Sequence, residues 1–183
     1  MPLSPYAVTK YANELYAHVF ALNYEMQIIG LRYFNVYGPK QDPFGAYAAV
    51  IPLFMKAAIE GVAPTINGEG LQSRDFTYVD NVIQMNELAM LTQNPEAINT
   101  VYNTAYGDRT TLNDMVTYLK EYLSEFDSAI AGIDVVHGPN RVGDIPHSLA
   151  SIDKAKRLLN YTPEYSFQDG LKEAVKWYWN NLK

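Results

Sequence analysis

Ser4-Pro5-Tyr6-Ala7-Val8-Thr9-Lys10-Tyr11-Ala12-Asn13-Glu14-Leu15-Tyr16-Ala17-His18-Val19-Phe20 runs on, after a short break, into Gln27-Ile28-Ile29-Gly30-Leu31-Arg32-Tyr33-Phe34. The first run reads as a helix. Ser4 can cap it, Pro5 suits its first turn, and it continues to about Tyr24. At 3.6 residues per turn, Val8, Ala12, Leu15 and Val19 form an apolar stripe, widened by Tyr16 and Phe20; Tyr6, Lys10, Asn13 and Ala17 lie opposite. The second run is apolar on both faces, the pattern of a buried parallel strand.

Working outward, residues 35–47 read as a loop rich in Gly and Pro. A helix follows over 50–60, then a short strand at 65–67, a turn at Gly68-Glu69-Gly70 and an extended piece at 75–78. Further on the pattern predicts a helix over 79–92, a strand over 100–104 and a helix over 111–124 capped by Thr110 or Thr111. A strand over 132–137 and helices over 152–159 and 167–180 complete the chain. Helices and strands alternate, so the class is α/β. No repeat and no long linker divides the 183 residues.

Composition narrows the function classes. The net charge of −6 leaves no basic stripe for general nucleic-acid binding, so an anionic ligand would need a few placed cations. Cysteine is absent, which removes disulfides and thiolate metal sites; no metal is expected. No apolar run approaches the roughly 20 residues of a membrane span, and no signal peptide is visible, so the expected location is the cytoplasm. The 15 tyrosines suit both polar pockets and interfaces, and core filling accounts for most of them.

Tyr6 and Lys10, at i and i+4, share one face of the first helix. A phenol titrates near 10, and an ammonium one turn away favours its phenolate, which can then take a proton from an alcohol. The spacing alone also fits a plain surface pair. Three later stretches change the weighing: Leu31-Arg32-Tyr33-Phe34-Asn35-Val36-Tyr37-Gly38-Pro39, Ile66-Asn67-Gly68-Glu69-Gly70 with Ser73-Arg74-Asp75-Phe76, and Arg141 with Gly143-Asp144. Together with Pro2 to Lys10 they resemble, in order and spacing, the signatures of the extended short-chain dehydrogenase/reductase family. The resemblance covers essentially the whole chain. Gln41-Asp42-Pro43 with Gly45 to Pro52, Asp80 to Asn86 and Gly107 to Leu112 resemble in particular the bacterial UDP-N-acetylhexosamine 4-epimerases of surface-polysaccharide synthesis.

The resemblance implies the C-terminal part of a Rossmann-type doubly wound fold joined to a small α/β substrate-binding subdomain. Residues 1–40 and parts of 76–106 would belong to the Rossmann part and the remainder to the subdomain. It implies NAD as cofactor, Tyr6 as base and Lys10 on the nicotinamide ribose, with the backbone of Tyr33 and Phe34 beside the nicotinamide. Asn35 would meet the substrate, although it also reads as a turn residue ending a strand. Gln41 belongs to the implied substrate set. Ala49 and Val50, with Thr65, Ile66 and Asn67, would hold the uracil; core packing is the alternative for Ala49 and Val50. Arg74 and Arg141 would grip the diphosphate, for which a planar guanidinium fork is suited; salt bridges to Asp75 and Asp144 are the alternative. Asp144 would contact the ribose. Ser148, being small, would leave room for an N-acetyl group. The implied reaction interconverts UDP-N-acetylglucosamine and UDP-N-acetylgalactosamine, or their uronates, in a homodimer built on the 6–24 helix.

Two expected parts have no counterpart in the sequence: the dinucleotide site, and the family's Ser or Thr that bonds the substrate hydroxyl, which the resemblance implies would precede Tyr6 by more residues than this sequence has. A dinucleotide site needs a strand, a Gly-rich turn and a helix N-terminus, and Gly68-Glu69-Gly70 lies in the wrong context. The expectation is a chain that lacks the front half of the enzyme, and that alone neither binds NAD tightly nor turns over. A 4,6-dehydratase or decarboxylase of the same family, and a non-catalytic nucleotide-sugar-binding or dimerisation remnant, are the competing readings.

Overall fold

The computed structural model describes residues 2, 4–45, 48–141 and 143–182. Helix α1 spans Pro5–Tyr24, with the Ser4 hydroxyl accepting the Ala7 N–H at 3.1 Å and Glu25 ending it in the left-handed region. Strand β1, Ile29–Tyr33, pairs in parallel with β6, Thr100–Thr104, in register Ile29 to Thr100. Between them lie β2 (Val36–Tyr37), α2 (Val50–Ile59), β3 (Thr65–Asn67), β4 (Ser73–Arg74), β5 (Thr77–Tyr78) and α3 (Val79–Leu91). After β6 come β7 (Thr110–Thr111), α4 (Leu112–Ser124), β8 (Val136–Gly138), α5 (Asp153–Leu159) and α6 (Phe167–Leu182), with 3-10 turns at Pro95–Ala97 and Ser128–Gly132. Strands β2 and β5 pair in parallel, as do β3 and β8, while β4 and β7 are antiparallel.

Two cores hold these elements. The larger lies among α2, α4 and α6 and buries Phe54, Met55, Ile66, Phe76, Met115, Leu119, Leu171 and Val175. The smaller lies among β1, β6, α3 and α5 and buries Met85, Tyr102, Ala150, Ile152, Leu159 and Tyr161. Tyrosine braces both. Tyr37 donates to the Phe167 carbonyl at 2.8 Å, Tyr102 to Ala97 at 2.9 Å and Tyr161 to Ala105 at 2.9 Å, so each buried phenol finds an acceptor while its ring fills the core. Burial drives the Tyr37 and Tyr161 hydroxyls well above the ordinary phenol value and Tyr178 to about 12, so all three stay neutral donors.

Gly170 shows how closely the larger core fits. A Cβ there would lie 2.5 Å from Tyr78 Cγ and 2.6 Å from the Tyr37 hydroxyl, both in buried side chains. Alanine normally gains about 1 kcal/mol over glycine inside a helix. Here the overlap wins, and Gly170→Ala is expected to destabilise by about 2 kcal/mol, read as a lower urea midpoint.

Three sequence expectations need correction. The strand over 27–34 is parallel, but Arg32 and Tyr33 are exposed and none of β1 is fully buried. Alternation explains this: Ile29 and Leu31 pack toward the smaller core and the Tyr33 hydroxyl donates to Asn86 of α3, whereas Arg32 points the other way, to α1. The expected loop over 35–47 contains β2, whose Tyr37 is buried; Ala46 and Tyr47 of that stretch lie outside the described residues. The strand over 132–137 begins only at Val136, because a 3-10 turn occupies Ser128–Gly132. No helix among the described residues is long and apolar enough to cross a membrane.

Candidate functional site

Helix α1 has no buried residue. Tyr6 is 70% exposed, and Lys10 Nζ sits 5.3 Å from the centroid of its ring, so the i, i+4 spacing does bring ammonium and phenol together. Of the stripe read on the other side, Val8, Leu15 and Val19 are exposed and Ala12 is half-buried. The helix turns Ala7, Glu14, Ala17 and Ala21 inward instead.

Asn35 follows β1 at a φ of 28°, a strained backbone for a residue with a Cβ. Its side-chain amide donates to the Asp75 carbonyl at 3.3 Å, and its own carbonyl accepts from the Thr77 N–H. Phe34 N–H donates to the Thr104 carbonyl, which ties this corner to the end of β6. Gln41 is half-buried; its amide nitrogen reaches the Val36 carbonyl, and its Oε1 is buried with no partner among the described residues. A buried amide oxygen left unpaired is costly, which makes it a candidate ligand acceptor.

Around β4 the second group assembles. Arg74 bonds Asp144 at 2.5 Å across 70 positions of sequence. The segment carrying Asp144 runs alongside β4: Ser73 N–H donates to the Pro146 carbonyl, Ser148 N–H donates to the Ser73 carbonyl, and Ser73 Oγ lies 2.9 Å from His147 Nδ1. Arg74, Asp144 and Ser148 are therefore held together by a backbone ladder. Arg141 is exposed and makes no side-chain hydrogen bond among the described residues. The two-bridge alternative is half corrected: Arg74 pairs with Asp144, and Asp75 pairs with neither arginine.

Asp75 has a different duty, which the sequence did not reveal. It is 0% exposed, and its carboxylate accepts from the backbone N–H groups of Tyr106, Gly107 and Ala150 at 3.1, 3.1 and 3.3 Å. It joins the end of β6 to the segment after Ser148, while its carbonyl holds Asn35. Burial outweighs those bonds and pushes its acid above the ordinary value. A folded-state value above the unfolded one means the native state holds the proton more tightly. Its contribution is then present below the unfolded value near 3.8 and lost as pH rises through the raised value. Asp75→Asn is expected to cost about 2 kcal/mol at pH 4 by leaving a backbone N–H unpaired. The cost should shrink as pH rises toward 7, measured by urea unfolding of both proteins at each pH.

The other named residues divide by burial. Thr65 and Asn67 are exposed on β3, but Ile66 between them is 1% exposed and packs in the larger core. Its side chain cannot touch a base, so only its backbone remains available, a consequence of strand alternation. Ala49 caps α2 and Val50 packs against the larger core, both half-buried. A cavity of about 380 Å³ lies between the end of α3 and α5, lined by Leu88, Leu91, Asn94, Arg157 and Leu158, and none of the site residues lines it. Among the described residues, no group of His, Asp and Glu is placed to hold a metal.

Known proteins share this sequence and architecture. Residues 1–105 match the NAD dependent epimerase/dehydratase family. A putative UDP-glucose 4-epimerase of Methanocaldococcus jannaschii is 33% identical over 98% of this chain and 55% of its own length. The crystal structure of a UDP-glucose 4-epimerase from Thermotoga maritima with UDP-glucose superposes with a TM-score of 0.90 at 37% identity, over 100% of this chain and 56% of that one. The UDP-N-acetylglucosamine 4-epimerase of Methanobrevibacter ruminantium, in complex with UDP-N-acetylmuramic acid, gives 0.84 at 40% identity over 97% and 54%. The chain thus spans about half the length of the relatives it matches, and the likeness is to the C-terminal portion of UDP-sugar epimerases. On the family match and the superpositions together, the chain belongs to the NAD-dependent epimerase/dehydratase family.

Proposed function

We propose that this chain is the acid–base and substrate-holding part of a cytoplasmic enzyme that interconverts UDP-N-acetylglucosamine and UDP-N-acetylgalactosamine, or their uronates, for surface-polysaccharide synthesis. The observation that carries the choice of sugar is Ser148. It sits one backbone bond from Ser73, next to the Arg74–Asp144 pair; a side chain this small would leave room where a larger one would exclude an acetamide. The relatives act on both plain and N-acetylated sugars by name, so the comparisons leave that choice to the site.

In this reading Arg74 and Arg141 grip the diphosphate and Asp144 meets the ribose. Asn35 and Gln41 contact the substrate. Ala49, Val50, Thr65 and Asn67, with the backbone of Ile66, frame the uracil. Tyr6 takes the C4 hydroxyl proton, holds it while the 4-keto sugar turns, and returns it to the other epimer. Lys10 steadies the phenolate and meets the nicotinamide ribose beside the backbone of Tyr33 and Phe34. The ammonium over the Tyr6 ring, on an open helix face, suits that role. When bound, NAD accepts and returns the C4 hydride. The exposed Val8, Leu15, Val19 and Leu22 would pack against a second copy in a homodimer.

Calorimetry on the 183-residue chain tests the division of labour. UDP is expected to bind and NAD is not. Arg74→Ala should weaken UDP by at least about tenfold, since a charge-assisted contact to phosphate is lost. Stoichiometric NAD binding, or UDP affinity unchanged in Arg74→Ala, contradicts the reading.

A further inference from the structure

Among the described residues, one side-chain ion pair is the polar contact between helix α1 and another element. Arg32 Nε donates to Glu14 Oε1 and Arg32 Nη2 to Glu14 Oε2, both at 2.6 Å, and no other hydrogen bond links α1 to another element among the described residues. The fork-to-fork geometry fixes direction as well as distance. The guanidinium holds the Glu14 carboxyl below its ordinary range, so the pair stays ionised at neutral pH.

From the geometry we infer that Glu14 and Arg32 are a positioning pair that sets the register of Tyr6 and Lys10 against Phe34 and Asn35. This rests on the reading of Tyr6 and Lys10 as the acid–base pair. The ion pair ties the middle of α1 to β1, and β1 leads directly into Phe34 and Asn35. At about 1.5 Å per helical residue, Lys10 stands about 6 Å and Tyr6 about 12 Å beyond Glu14 toward the helix start. A slip of one helical turn would carry Tyr6 and Lys10 about 5 Å along the helix axis. The half-buried side of the helix is mostly alanine, at positions 7, 17 and 21, which resists such a slip weakly. A bidentate ion pair one residue from the end of β1 supplies the missing definition.

The absence of cysteine makes a distance measurement clean. Spin labels on His18→Cys of α1 and Glu121→Cys of α4, both exposed, are expected to give one narrow distance distribution in the 183-residue chain. Glu14→Gln should broaden it at least about twofold with the melting temperature little changed, and the swapped pair E14R/R32E should narrow it again. In the chain joined to the dinucleotide-binding half of a relative, Glu14→Gln should lower kcat about tenfold or more and leave KM for the UDP-sugar within about twofold, as expected for a misplaced reacting group. A Glu14→Gln distribution as narrow as the parent, a swap that stays broad, or an unchanged kcat overturns the inference. Tyr6→Phe separates the two levels. If it leaves turnover intact, the acid–base reading fails; if it abolishes turnover while Glu14→Gln does not, only the positioning pair fails.

Discussion

Tyr6→Phe is expected to lower C4 epimerisation by about 1,000-fold, the loss typical of removing a positioned general base. The assay is turnover of UDP-N-acetylglucosamine by the chain joined to a relative's dinucleotide-binding half. Only one oxygen is removed, and that hydroxyl has no hydrogen-bond partner among the described residues. Tyr6 is also largely exposed on a helix with no buried residue, so stability should change by less than about 0.5 kcal/mol. Chemistry and folding are thereby separated. The loss should fall on kcat, because the groups proposed to grip UDP lie at the start of α2, around β3 and β4, and from Arg141 to Asp144, not on α1. A Tyr6→Phe enzyme with a raised KM and intact kcat would place Tyr6 in binding only.

Ser148→Tyr is the second large effect. The Ser148 backbone is fixed by its bond to the Ser73 carbonyl, and the adjoining Ala150 N–H is held by the buried Asp75 carboxylate, so the segment cannot withdraw to admit a phenol ring. In the proposed site the ring would then fill the space left for the acetamide. Turnover of UDP-N-acetylglucosamine should fall by about 100-fold in kcat/KM, while UDP-glucose, which lacks the acetamide, should change by less than about fivefold. Stability should hold within about 1 kcal/mol, since the position is half-exposed. Equal losses on both sugars would mean that Ser148 does not face the C2 substituent.

Much of this was legible in the sequence for identifiable reasons. The Ser4 cap, the helix over 5–24 and the strand over 100–104 follow from local chemistry acting over several residues, and the structure has them. Strands β2 and β7 are two residues each and exist only because β5 and β4 lie beside them; two residues carry no periodicity. The Arg74 motif was readable, but its partner Asp144 is set by the ladder that brings 146–148 to β4. Asp75 was read only as a possible salt-bridge partner, whereas it caps three backbone N–H groups from two distant segments. A charged residue between Arg74 and Phe76, in a stretch otherwise headed for the core, was the available signal. Burial of β1 was over-read because an apolar run does not say how many faces will be covered.

The most direct test of the account is the product formed from UDP-N-acetylglucosamine by this chain joined to a dinucleotide-binding half, followed by proton NMR at C4. The predicted result is an equilibrium mixture of the two C4 epimers with no net change in NAD. A UDP-linked 4-keto-6-deoxy sugar as product, or unchanged substrate with UDP bound, would contradict it.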